Sequence, residues 1–165
     1  MDDWNPNNKE IEMSKFLLAF AAAFVLVQSA WAQAPQVFQV RSTHTVAKTL
    51  QHLEHAIQQR HLHIVAVVDH SGLAHKAGLE LRPTKLVIFG NPALGTKLMQ
   101  MNQQAGLGLP LKMLVWEDAE HRVWLGYTDP AVFAQRYDIS PSAQPILIMT
   151  KALHAIAAEA AEARH

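Results

Sequence analysis

Two short apolar runs in the middle of the chain limit what it can become. His63–Val68 (HIVAVV) is rich in β-branched residues and almost unbroken, and Lys85–Phe89 (KLVIF) repeats the pattern. Each is too short for a helix and ends on polar or turn-forming residues, Asp69-His70 after the first and Gly90-Asn91-Pro92 after the second. Such runs are strands, and the near-continuous apolarity of the first predicts a central strand covered on both faces. Between them Ser71 can cap a short helix ending near Gly78, where glycine suits the left-handed position, and Pro83 bars its continuation. Asn91 as N-cap with Pro92 behind it starts another helix, to about Met101, which Gly95 weakens.

The flanks extend the alternation. Gln36–Arg41 alternates polar and apolar residues as a half-buried strand does, and Ser42 or Thr43 can cap the first long helix. From Thr45 to Arg60, Val46, Leu50, Leu53 and Ile57 recur at helical spacing without glycine or proline. After a glycine-rich loop, Gln103–Pro110, LKMLVWE and RVWLGY read as two strands joined at Asp118–His121 in an antiparallel hairpin. Asp129-Pro130 begins a short helix to about Tyr137, and Ser140-Pro141 breaks it. Beyond Ser142, Ile146, Met149, Leu153, Ile156 and Ala160 mark a long amphipathic helix. The expected fold is α+β: a single two-layer domain with a mixed five-stranded sheet packed by helices, the last of them long. Its expected core includes Val65, Val67, Leu86, Ile88, Leu114 and Val115.

The first 32 residues read differently. Lys15 precedes an uncharged apolar run, Phe16–Val27, and Ala30-Trp31-Ala32 offers small residues where a signal peptidase cuts. The run is too short to span a bilayer, which needs about 20 residues. The expectation is a cleaved secretory signal, Gln33 as the first mature residue, a periplasmic or secreted product and no stable membrane span afterwards. Residues 1–12 carry four acidic side chains against Lys9, the wrong sign for the start of a signal; translation from Met13 would give a conventional one, and a long leader from Met1 is the alternative. Removing residues 1–32 leaves 133 residues, a one-domain length, with a net charge near +2. Neither a basic stripe nor aromatic-basic interleaving is present, which argues against nucleic acid as a partner. With no cysteine in the chain, disulfides, thiol nucleophiles and thiolate metal sites are excluded, and any metal would need imidazole and carboxylate ligands.

The blocks VVDHSGLAHKAGLELRPTKLVIFGNPALGTKLM, LGLPLKMLVWED and VWLGYTDP together resemble the family called domain of unknown function 302, over roughly residues 36–140. The most specific matches are Asp69-His70, Phe89-Gly90-Asn91-Pro92 and Leu109-Pro110-Leu111-Lys112. The resemblance implies a compact α+β domain, often exported and often a homodimer, and implies no activity. Some family members carry a cysteine before the Asn-Pro pair; Gly90 stands there in this chain, so thiol chemistry does not carry over. The helix after Ser142 lies at or beyond the resembling region.

No serine-hydrolase, zincin or nucleotide-loop motif occurs, and no cofactor is indicated. If the second, third and fourth strands ran parallel, their carboxyl ends would gather Asp69, His70, Asn91, Glu117 and Asp118 at one rim, with His75 approaching from the short helix. That set could hold a metal or a small polar molecule. The leading expectation is an exported binding module centred on His70. The alternatives are an enzyme using His70 as acid/base and a structural or dimerisation module without a ligand. His52 and His55, three apart on the first long helix, form a weaker surface metal candidate.

Overall fold

The computed structural model describes residues 37–162; the signal-like segment and both termini lie outside the described residues. Among the described residues the chain forms five strands and five helices, in the order β1 Val37–Ser42, α1 Val46–Gln59, β2 His63–Asp69, α2 His70–Lys76, β3 Thr84–Gly90, α3 Pro92–Met101, a 3-10 turn Gln103–Gly108, β4 Leu111–Glu117, β5 Val123–Thr128, α4 Pro130–Arg136 and α5 Gln144–Ala161. The α+β class, the five strands and the long last helix are as the sequence predicts.

Helix starts follow local hydrogen bonding. Thr45, not Ser42 or Thr43, caps α1 by accepting from the Lys48 amide at 3.3 Å. The Ser42 hydroxyl pairs instead with that of Thr49 at 2.7 Å in the interior. Asn91 caps α3 by accepting from the amides of Ala93 and Leu94 at 2.9 and 3.2 Å, and Asp129 caps α4 by accepting from Ala131 at 2.8 Å. Gly78 closes the turn after α2 at φ 73°.

The sheet order is β1-β5-β4-β3-β2, and all four pairings are antiparallel. The parallel arrangement expected for β2, β3 and β4 is therefore absent. A parallel return needs a crossover helix about as long as the strand it brings back. The seven residues of α2 rise about 10 Å at 1.5 Å each, whereas the seven of β2 extend about 23 Å. Consequently α2 turns the chain at the sheet's end.

Helices α1 and α5 pack against one another and against the same face of the sheet. On that face Val87, Phe89, Met113, Val115 and Leu125 are fully buried beneath Leu53, Ile57, Ile146, Met149, Leu153 and Ile156. Ala56, Ala157 and Ala160 are buried small residues at the helices' inner faces, and Arg60 fastens the pair by donating to Glu159 at 2.9 Å.

The expected core is corrected in phase. Val115 is buried, but Leu86, Ile88 and Leu114 alternate with the core residues and lie half-buried on the opposite face of the sheet. Val65 and Val67 are 63% and 42% exposed. Their strand is an edge strand with an irregularity between Ile64 and Ala66, not a central one. The opposite face also carries Val68, Trp116 and Trp124, all half-buried.

Candidate functional site

Antiparallel pairing divides the residues expected at one rim. Asp69 at the end of β2 faces Lys85 at the start of β3, and Thr84 faces Trp116 near the end of β4. Asp69, His70, His75, Glu117 and Asp118 therefore belong to one end of the sheet. Asn91 is at the other, because Gly90 pairs with His63 and Phe89 with Leu111.

At the first end the carboxylates are occupied by architecture. Asp69 caps α2, accepting from the Gly72 amide and the Ser71 hydroxyl, both at 2.8 Å, and it pairs with the Lys85 ammonium. Its carboxyl is held well below the usual range, chiefly by Lys85 and then by Gly72 and Ser71. Gly72 is required here, since a Cβ would come within 2.7 Å of the Asp69 carboxylate. Asp118 organises the β4–β5 hairpin: it accepts from the amides of Glu120 and Arg122 at 3.0 and 2.9 Å, and from the Arg122 guanidinium and Trp124 indole, both at 2.7 Å. Desolvation pushes its carboxyl up, and the Trp124 and Arg122 hydrogen bonds outweigh that and hold it well below the ordinary value.

Glu117 meets the ring of His121 at 2.8 Å, so the imidazole beside it is not His70. His70 is half-buried and His75 exposed. Among the described residues no three His, Cys, Asp or Glu side chains are grouped to hold a metal ion. His52 and His55 line a shallow hollow with Lys48 and Gln51.

The opposite end of the sheet holds a cleft of about 350 Å³. Its wall is β3's exit and α3, from Gly90 through Met99, and its other side is Leu109, Pro110 and Leu111 leading into β4. Val65, Leu98 and Met149 add further apolar surface. The polar side chains among its lining residues are His63, Asn91 and Thr96. Such a concave, largely apolar space with a few polar groups is the usual form of a small-molecule site. His63 is not among the sequence candidates. Pairing β2 and β3 as antiparallel strands is the signal that would set it beside Gly90, and thus beside Asn91.

Gly90-Asn91-Pro92 and Leu109-Pro110-Leu111, far apart in sequence, thus come together around one cleft. The model of the family described as "Domain of unknown function DUF302" matches residues 38–159. The chain belongs to this family. The DUF302 match runs through most of α5, so the last helix is part of the family domain and not an addition beyond residue 140.

A crystal structure of an uncharacterized conserved DUF302 protein from Bacillus stearothermophilus superposes with a TM-score of 0.70 at 17% identity, covering 78% of this chain and all of the other, which establishes a shared fold. In sequence the DUF302 chain is 44% identical over 103 residues to a protein of Brucella suis named fluoride-specific ion channel FluC 1, covering 62% of this chain and 41% of that protein. A Brucella melitensis protein named fluoride-specific ion channel FluC 2 matches at the same identity over 38% of its length. The match spans about two fifths of these curated relatives. Among the described residues no helix is long and apolar enough to cross a membrane.

Proposed function

We propose that this DUF302 domain is an exported binding module that takes a small, largely apolar molecule in the cleft between β3's exit and the start of β4, with His63 and Asn91 as its polar contacts. The observation carrying this reading is that parts of two of the chain's three most specific sequence blocks, Gly90-Asn91-Pro92 and Leu109-Pro110-Leu111, separated by α3 and the 3-10 turn, line the same space of about 350 Å³. The reading keeps the strand-end location expected for Asn91 and exchanges His70 for His63. Binding is favoured over turnover because His63 is the one titratable side chain among the lining residues, with no second acid or base among them. The relatives named as fluoride-specific ion channels extend well beyond the matched segment, which fits a domain that a membrane protein can carry as an accessory.

Thermal-shift titration of the purified chain with indole as the probe tests this. A ligand at 100 times its dissociation constant stabilises the folded state by about 2.7 kcal/mol, enough to raise the midpoint by several degrees. Leu94→Trp, which fills the cleft from α3, should remove the shift while the variant still unfolds cooperatively. An indole shift that survives Leu94→Trp, or no shift in the parent chain, would dispose of the cleft as the site.

The half-buried face carrying Leu86, Ile88, Leu114, Trp116 and Trp124 favours a second reading, in which a second copy of the chain covers it. Five strands about 4.8 Å apart and about 20 Å long give a flat footprint near 500 Å². Pleating and two indole rings enlarge that toward the roughly 800 Å² per partner of a stable interface. Light scattering and intact mass on chain recovered from the periplasm should give a dimer beginning at Gln33, and Trp116→Glu should give a monomer. A parent chain that is monomeric at micromolar concentration removes the dimer, and one retaining residues 13–32 removes the export.

A further inference from the structure

A second cavity, of about 190 Å³, shares Leu111 and Met149 with the apolar cleft but has a different chemistry. It forms where the sheet forks. The β4–β5 ladder ends at the Leu114–Gly126 pair, so Lys112 on β4 and Tyr127 and Thr128 on β5 line the opening without pairing across it. Phe133 and Arg136 of α4 form one wall, and Met149 and Leu153 of α5 lie beneath.

Two groups here lack partners. Tyr127 is 3% exposed, yet its hydroxyl has no hydrogen-bond partner among the described residues. A buried hydroxyl left unmatched is costly, and few occur in a folded domain. The side chain of Arg136, exposed in the last turn of α4, makes no hydrogen bond or ion pair among the described residues. Lys112 at the rim donates to the Pro110 carbonyl at 2.8 Å and adds a second positive charge.

We propose that this fork is a binding site for a small organic carboxylate, whose oxygens take the Arg136 guanidinium and the Tyr127 hydroxyl while its apolar body rests on Phe133, Met149 and Leu153. A guanidinium matches a carboxylate with two parallel N–H donors, and Arg136 and Lys112 set against the nearby Asp129 leave one net positive charge, which suits a single negative one. The volume equals about six waters, room for one ring or a short chain. Burial first, and then the nearby Asp129 carboxylate, push the Tyr127 hydroxyl up to about 12, so it stays a protonated donor throughout the neutral range. Asp129 itself is engaged in capping α4, and its charge disfavours dianions such as phosphate in the same space.

The test is a thermal-shift and calorimetric titration of the whole chain with sodium benzoate, with benzamide, inorganic phosphate, fluoride and sodium chloride at equal ionic strength as comparisons. Benzoate should raise the midpoint where the other four do not. Arg136→Gln should weaken benzoate binding by about tenfold or more, the usual loss for one charge-assisted contact. Tyr127→Phe should weaken it severalfold while leaving the unliganded midpoint unchanged or higher, since the hydroxyl has no partner to lose. Leu94→Trp should leave benzoate binding intact, which separates this site from the apolar cleft. An equal shift from benzamide, phosphate, fluoride or chloride, or benzoate binding unaltered by both Arg136→Gln and Tyr127→Phe, would overturn the assignment.

Discussion

Phe89→Ala is expected to lower the stability of the domain by about 3 to 5 kcal/mol, the range for emptying a buried aromatic site. Phe89 is fully buried, pairs across the sheet with Ile64 on one side and Leu111 on the other, and faces the helices. Val67→Ala should cost less than about 1 kcal/mol, because Val67 is 42% exposed on the edge strand and removing two solvent-accessible methyl groups leaves no closed cavity. Urea denaturation of the two variants checks the pair. Losses of similar size would mean that β2 is covered after all and that the face assignment is wrong.

The second large effect concerns α5. A chain ending at Ser142 is expected not to fold cooperatively, as read by loss of a sigmoidal thermal transition and of near-ultraviolet dichroism. Ile146, Met149, Leu153 and Ile156 are each at most 2% exposed, and burying side chains of this kind contributes about 1.5 to 3 kcal/mol apiece. Four of them supply roughly 6 to 12 kcal/mol, comparable with the whole net stability of a domain, about 5 to 15 kcal/mol. Removing α5 also bares the upper surface of α1, including Ala56 and Ile57. A truncated chain that still melts cooperatively would make α5 an attachment to a complete core.

Helix starts are legible in the sequence because caps are local: Asn91-Pro92 and Asp129-Pro130 announce themselves within three residues. Strand positions are legible from composition. Direction is not, because it depends on how far each connection travels, and the shortness of α2 is the available clue. The site depends on direction in turn: parallel strands would group Asn91 with His70, whereas the antiparallel ones place it with His63. Faces are hidden for a related reason. An uninterrupted apolar run such as His63–Val68 has no period to show which residues point inward, and an edge strand with an irregular register offers the same composition as a central one. The cavity at the β4–β5 fork has no sequence signal, since it arises from two strands parting.

The order of the strands also sets a sequence of events at birth. β1 is made first but pairs only with β5, about 90 residues later, and the amide of Thr43 waits for the carbonyl of Ala161 at the very end of α5. Contacts that distant are slow to form, because a long loop must close before they stabilise anything. While β2, β3 and β4 can zip together as soon as they emerge from the ribosome, the first strand has no partner in the sheet until β5 is made. For a chain exported as proposed, that delay leaves β1 unpaired and threadable through a translocase until β5 has been made.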